Sequence, residues 1–354
     1  MVNNGLNNNI SYNINLKGLK NLGTTCYINS IIQMLFHIDE IKNFILNLKL
    51  KKEYQNVLYS LYITFFDLNN SKNYDCAINT TFFVENFDIE KINKFEQKDV
   101  HEFLLLLIEK LENRLKIYGG DNLFKNLFLS TIKNYFECQC NKKHHFINEQ
   151  THFAIELEIK DRKNIYESLN LIIDKEYIDD DNRIFCSKCM KKRNMYKSSK
   201  FTLISKYLIF VLKRFEFSEI NLQYNKIYDY YEFPNILDMS KYYETDKNTD
   251  IKNKYILYGV IIHKGLTYSG HYYYIINDIN DGVWIKLDDS KVEIIDDNEA
   301  KKQFFGSKLL HDNLENIPTT YMSIYKKIDS SNSEKTTNNN IKKLFLEFSD
   351  NVEK

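Results

Sequence analysis

The residues whose types could do chemistry begin at Gly18-Leu19-Lys20-Asn21-Leu22-Gly23-Thr24-Thr25-Cys26-Tyr27-Ile28-Asn29-Ser30. Ile28, Ile31, Ile32, Leu35 and Phe36 recur at helical spacing, which predicts a helix with one buried face. Gly18, Gly23 and the Thr pair mark a tight loop before it, with Thr25 as the N-cap. Cys26 then sits in the first turn, where the partial positive charge of a helix N-terminus favours thiolate over thiol. Asn21 lies on that loop, where its amide can fold beside the sulfur as an oxyanion donor. The same residue types also suit a structural cysteine buried at a helix start, and this stretch alone leaves both readings open.

A cysteine nucleophile needs a base, and the base needs a group that orients it. His263-Lys264-Gly265-Leu266-Thr267-Tyr268-Ser269-Gly270-His271-Tyr272 sets two histidines around a glycine-flanked loop. Gly270 would let a substrate backbone approach closely beside His271. Downstream, Trp284-Ile285-Lys286-Leu287-Asp288-Asp289 ends a strand pattern in two carboxylates. Asp288 can hydrogen-bond one imidazole nitrogen and leave the other facing Cys26. Taken singly, His271 is an ordinary packed or surface histidine and Asp288-Asp289 an ordinary turn; together they form a nucleophile, base and orienter set.

A second cluster joins Cys138-Gln139-Cys140 to Cys186-Ser187-Lys188-Cys189. Four thiolates hold a structural zinc tetrahedrally and tie together hairpin tips that lack a core of their own. The first pair is one residue shorter than the usual knuckle, and His144 or His145 could replace one thiolate. Four reduced thiols without metal are the alternative. Cys76 has neither partner nor motif and reads as structural.

These groups must be carried by a chain of 354 residues, enough for one large domain or two ordinary ones. Lys plus Arg and Asp plus Glu are both 48, so net charge gives no case for nucleic acid or an anionic membrane surface. The N-terminus lacks the basic and apolar regions of a secretory signal, and no apolar run is long enough to span a bilayer. A soluble protein of a reducing compartment, cytoplasmic or nuclear, is expected, with cysteines serving as nucleophiles, ligands or core residues.

Residues 1–15 are Asn-rich and read as a tail. Helical patterns follow the Cys26 helix at Ile41 to Leu48, at Val57 to Phe65, and from Gln97 to about Leu115, where Asp99 and Glu102 are spaced as a capping box. Gly119-Gly120 are expected to end this helical part. Beyond about 128 the texture is β-prone: Tyr207–Leu212, Tyr255–Ile262, His271–Ile276, Val283–Leu287 and Tyr321–Tyr325 read as strands. Past Lys327 the composition is that of a linker, followed by a short apolar pattern at Leu344, Phe345 and Phe348.

In order along the chain, the Cys26 block, Gln97-Lys98-Asp99-Val100-His101-Glu102-Phe103-Leu104, Leu212-Lys213-Arg214-Phe215, Phe233-Pro234-Asn235-Ile236-Leu237-Asp238, Gly270-His271-Tyr272 and Trp284–Asp289 together resemble the ubiquitin-specific protease family. The wording around Tyr231-Glu232-Phe233-Pro234 is most similar to its fat-facets-like branch. Departures fall at Thr24, Lys264 and Leu287, none of them a proposed catalytic group.

The resemblance implies an α+β, papain-like fold of thumb (about 16–130), fingers (about 131–205) and palm (about 206–327). It implies Cys26 as nucleophile, His271 as general base and acid, Asp288 as orienter, Asp289 as auxiliary carboxylate and Asn21 as oxyanion donor. Asp99 aligns with an acidic residue that contacts the incoming ubiquitin tail, and the narrow channel for that tail accounts for Gly270. The finger zinc would be held by Cys138, Cys140, Cys186 and Cys189, with no organic cofactor. The expected partners are ubiquitin and ubiquitinated proteins. A catalytically silent ubiquitin-binding scaffold and a protease for another ubiquitin-like modifier are the alternatives.

Overall fold

Helix α1 (Cys26–Phe36) is buried along its whole length, not on one face alone. It is wedged between helices and a sheet, so Tyr27, Asn29, Ser30 and Gln33 are enclosed together with the apolar stripe. Each buried polar group therefore needs a partner inside. The Ser30 hydroxyl donates to the Cys26 carbonyl at 2.9 Å, and the Gln33 amide to the Lys17 carbonyl at 2.7 Å. Thr25 stands at the N-cap position, but its side chain does not cap α1; its Oγ1 accepts from the Leu22 N–H at 2.9 Å and braces the preceding loop.

The chain was described from a computed structural model covering residues 16–50, 56–70, 76–87, 99–120, 122–140, 143–220, 222–244, 253–267, 269–278, 283–308 and 314–328. The expected N-terminal tail, Gln97, Lys98, Tyr268 and the Leu344–Phe348 pattern lie outside the described residues. Around α1 gather α2 (Asp39–Leu46), α3 (Val57–Asn70), α4 (Thr81–Asn86) and α5 (Val100–Leu115). On α5, Val100, Phe103, Leu104, Leu107, Ile108, Leu111 and Leu115 form the buried stripe that its periodicity predicts. Gly119, at φ 74°, breaks that run, yet a short α6 (Leu123–Phe128) follows, so the glycines do not end the helical part. Its Phe124, Leu127 and Phe128 are buried, and packing supplies what a six-residue helix lacks in intrinsic stability.

Beyond α6 come β1 (Ser130–Cys138), β2 (His145–His152), β3 (Ile155–Leu157), α7 (Ile165–Ile173), β4 (Glu176–Ile178), β5 (Ile184–Cys186), β6 (Lys191–Arg193) and β7 (Met195–Leu203). There follow β8 (Tyr207–Leu212), β9 (Phe215–Ser218), β10 (Gln223–Lys226), β11 (Ile236–Asp238), β12 (Lys254–Gly265), β13 (Gly270–Asp278), β14 (Val283–Asp288), β15 (Lys291–Ile295), α8 (Asp297–Phe304) and β16 (Thr319–Lys327).

The large sheet runs β15-β14-β13-β12-β16-β8-β3, antiparallel except for the β3–β8 pair, with β11 added beside β12. Strand β8, next to the edge strand β3, is buried at every residue, as an unbroken apolar run requires when both faces are covered. One face packs on the helices around α1, and the other on a second core that holds Phe233, Trp284 and Phe304. A separate sheet of order β2-β1-β7-β4 carries the small β5–β6 hairpin near its end, where Cys138, Cys186 and Met195 make a core of their own. The result is an α+β fold. Among the described residues no helix is long and apolar enough to cross a membrane.

Two histidines sit where the layers meet, His263 buried and His37 half-buried. His37 donates from Nδ1 to the Gln33 carbonyl at 2.7 Å, while its Nε2 has no partner among the described residues; burial lowers its pKa to about 4. Burial, then the charges of Lys226 and His271, lowers His263 to about 3. Both bind protons more weakly folded than unfolded, so their stabilisation is present above pH 6.5 and is lost as the pH falls towards 4. Each is expected to cost up to about 1.4 kcal/mol per pH unit through that window. Urea midpoints at pH 7 and pH 5 check this, and His37→Gln should flatten the slope.

Candidate active site

Cys26 is the first residue of α1, so its thiol sits where the helix presents unpaired N–H groups. Across from it, β13 begins Gly270-His271, and the paired β14 ends at Asp288. His271 Nε2 lies 2.6 Å from Asp288 Oδ1, which leaves Nδ1 for the hydrogen bond that the same ring makes to Cys26. The Asp288 hydrogen bond, followed by that to Cys26, raises the imidazole to about 10 against the opposing effect of burial. For Asp288, burial works to raise the carboxyl, but His271 and the Lys286 ammonium outweigh it and hold the group below the usual carboxylate range. The Lys286 amine is 3.1 Å from Asp288 Oδ2, so both carboxylate oxygens have a cationic neighbour when His271 is protonated.

Asp289 does something different. Its Oδ2 accepts from Asn21 Nδ2 at 2.8 Å and its Oδ1 from Asn29 Nδ2 at 2.8 Å. His271 Nε2 is 3.9 Å from Oδ2, beyond hydrogen-bond range. The Asp289 carbonyl accepts from the Leu19 N–H at 2.7 Å, and a Cβ on Gly18 would lie 2.5 Å from that oxygen. Glycine at position 18 is what lets the cysteine loop lie against the end of β14. Asn21 is thereby fixed at both ends of its amide: Oδ1 accepts from the Gly23 and Thr25 N–H groups at 3.0 and 3.2 Å. One Nδ2 hydrogen goes to Asp289.

Two expected substrate contacts have inward tasks. Asp99 caps α5, its Oδ1 accepting from the His101 and Glu102 N–H groups at 2.7 and 3.2 Å, while its Oδ2 accepts from the Tyr321 hydroxyl. At Gly270 the Cβ direction is taken by His263, whose Nε2 would be 1.9 Å from a Cβ, so the bare Cα serves internal packing first.

The sequence reading missed Asn29, Lys286 and Tyr321. Asn29 follows Cys26 by one helical turn, a polar residue within an apolar run, and was findable. Lys286 shares a strand face with Asp288 through the two-residue period. Tyr321 carries no local signal, because only the pairing of β16 beside β12 and β8 brings it to Asp99.

At the far sheet, hairpin pairing brings Cys138, Cys140, Cys186 and Cys189 together, with Cys138 Sγ 3.9 Å from Cys189 Sγ. His144 joins them: its Nδ1 is 3.6 Å from Cys140 Sγ, 3.7 Å from Cys186 Sγ and 3.4 Å from Cys189 Sγ. Bond lengths of about 2.3 Å to sulfur and 2.0–2.1 Å to nitrogen put tetrahedral donor–donor edges at about 3.5–3.8 Å. The donors fit a metal of that geometry, with one donor more than it needs. Burial and the neighbouring thiols push Cys138 up to about 12. At Cys186, hydrogen bonds from His144 and Cys189 outweigh burial and bring the thiol down to about 6. Cys76, expected to be structural, is exposed.

Residues 17–345 match the family described as "Ubiquitin carboxyl-terminal hydrolase". Among curated proteins, the chain is 28% identical to Ubiquitin carboxyl-terminal hydrolase 5 of Schizosaccharomyces pombe, over 88% of this chain and 28% of that protein. It is 30% identical to Ubiquitin carboxyl-terminal hydrolase 7 of Drosophila melanogaster, over 82% of this chain and 25% of that protein. Ubiquitin C-terminal hydrolase 13 of Arabidopsis thaliana is 28% identical over 82% of this chain and 26% of its own length. The chain thus spans about a quarter of the length of these relatives. With the match running through both the cysteine loop and the His271–Asp288 pair, the chain belongs to the ubiquitin carboxyl-terminal hydrolase family and has its papain-like catalytic fold.

Proposed function

We propose that this chain is a cysteine-type deubiquitinase that cleaves the bond after the C-terminal glycine of ubiquitin. The observation that carries the reading is the hydrogen-bonded series Asp288–His271–Cys26, with the cysteine at a helix N-terminus. The Cys26 thiolate attacks the glycine carbonyl, and the oxyanion forms beside Asn21 Nδ2. His271, kept protonated by Asp288 and Cys26, gives its proton to the departing lysine amine. It then takes one from water, which hydrolyses the thioester and restores Cys26. Asp99 retains lone pairs for the ubiquitin tail beyond those used in capping, and Gly270 borders the path of that tail.

A ubiquitin probe with a C-terminal thiol-reactive electrophile tests this. Purified chain should gain the mass of one ubiquitin, and Cys26→Ala should gain none. Folded wild-type chain that gains no mass speaks for a silent ubiquitin binder, or for another modifier if a probe built on that modifier labels Cys26.

The far cysteine cluster is read as a structural zinc site. Cys140, Cys186 and Cys189 supply three thiolates, and either Cys138 or His144 the fourth donor. The ion would cross-link hairpins whose own core is small. About one equivalent of zinc in the purified protein supports this; a metal-free chain that is fully folded removes it. Ubiquitin and ubiquitinated proteins are the partners, and a reducing cytoplasmic or nuclear compartment is the setting in which Cys26 stays reduced.

A further inference from the structure

Lys226 closes β10, and the chemistry above gives it no task. Its side chain is buried, and among the described residues no carboxylate lies within ion-pair distance of its Nζ. Burial, followed by the charge of Arg214, holds its amine down at about 7. Arg214 is itself fully buried and donates to the carbonyls of Thr320, Ile227 and Asp229. Enclosing an amine without a counter-ion is unfavourable, and two such groups side by side are more so.

What this amine holds is specific. Lys226 Nζ donates to the His263 carbonyl at 3.0 Å and to the Gly265 carbonyl at 3.2 Å. The Tyr228 hydroxyl also donates to the Gly265 carbonyl at 3.1 Å, and the Thr319 hydroxyl to the His263 carbonyl at 3.3 Å. These carbonyls belong to the last residues of β12, whose cross-strand partners open β13: His263 pairs with Tyr272, Lys264 with His271 and Gly265 with Gly270. The grip therefore falls on either side of Lys264, the residue opposite His271. The final pair of that hairpin is two glycines, Gly265 being at φ +112°, so no side chain of that pair helps to hold its end.

We propose that Lys226 is a positioning residue for His271, its amine clamping the end of β12 so that the paired start of β13 keeps the imidazole aligned between Asp288 and Cys26. This rests on the reading of His271 as the base of Cys26. The wider consequence is that β9 and β10, whose Phe217 and Tyr224 are exposed, are anchored to the end of β12 that pairs with the start of the catalytic histidine's strand.

The test is alkylation of the full chain by iodoacetamide at pH 6, read residue by residue by mass spectrometry, with exposed Cys76 as internal reference. Lys226→Met keeps the length of the side chain and removes its donors. It is expected to slow Cys26 alkylation about tenfold to a hundredfold, the scale of a small misplacement of a reacting group. The Cys76 rate and the thermal midpoint should stay close to wild type. The maximal rate of labelling by the ubiquitin probe should fall in parallel, with the concentration for half-maximal labelling nearly unchanged. A general loosening of the fold would instead move Cys76 and the midpoint as well. Should Lys226→Met not fold, Tyr228→Phe removes a neighbouring donor to the Gly265 carbonyl and is expected to slow Cys26 severalfold. A Cys26 rate within about twofold of wild type in a folded variant overturns the proposal. Wild-type Cys26 reacting no faster than Cys76 overturns the reading of the whole site, and the role of Lys226 with it.

Discussion

Asp288→Ala is expected to lower kcat by about 10²–10⁴-fold, the usual range for a group on which general acid–base catalysis depends. Asp288→Asn is expected to be milder, since its amide oxygen can still accept from Nε2. The 2.6 Å bond to His271 fixes the ring, and the carboxylate charge helps raise the imidazole to about 10. A protonated imidazole is required to release the amine, so the alkaline limb of kcat/KM lies high in the wild type. Removing the charge lets the imidazole drop back towards 6.5, and that limb should move to lower pH in both variants. Lys286→Met should act oppositely and weakly, because its ammonium competes with His271 for the same carboxylate. The decisive comparison is the pH profile of Asp288→Ala beside that of Asp289→Ala. Full activity in the first with none in the second would make Asp289 the orienter.

Asn21→Ala and Asp289→Ala are each expected to reduce kcat by about 10²–10³-fold, the cost of losing one oxyanion donor. The two losses should not add. In the proposed mechanism Asp289 acts through Asn21 Nδ2, to which it is hydrogen-bonded, so the double variant should be nearly as active as either single one. Asp289→Ala carries an additional effect that Asn21→Ala lacks. It leaves the buried Asn29 amide without its carboxylate partner at the start of α1, which costs about 1–3 kcal/mol of stability. A double-mutant cycle on kcat, with urea midpoints for each variant, reads both. Strictly additive losses in kcat would show that Asp289 acts on the reaction by a route independent of Asn21.

Much of this was legible in the residue order. The start of α1 at Cys26, the Asp99 cap of α5, the fully buried β8 and the strand bounds around His271 all follow from short-range causes: side-chain period, capping geometry and glycine placement. Features resting on several distant elements were not legible. Thr25 looks like an N-cap but faces the loop, because its hydroxyl accepts from the Leu22 N–H and donates to Asn21 Oδ1. Gly270 looks like room for substrate but is filled by His263 from the neighbouring strand. Asp99 looks free for substrate, but Tyr321 arrives from the last strand to share it.

By itself the sequence determined which residue types stand at helix starts and strand ends, and so which groups were available: Cys26, Asn21, His271 and the Asp288-Asp289 pair. The division of labour within that pair was decided only by tertiary structure. Asp288 is still in β14, and its side chain is directed by the pleat to His271. One residue later the backbone turns to φ 51° at Asp289, which carries its carboxylate to Asn21 and Asn29. No local pattern distinguishes adjacent aspartates, because the difference lies in what folds against each of them.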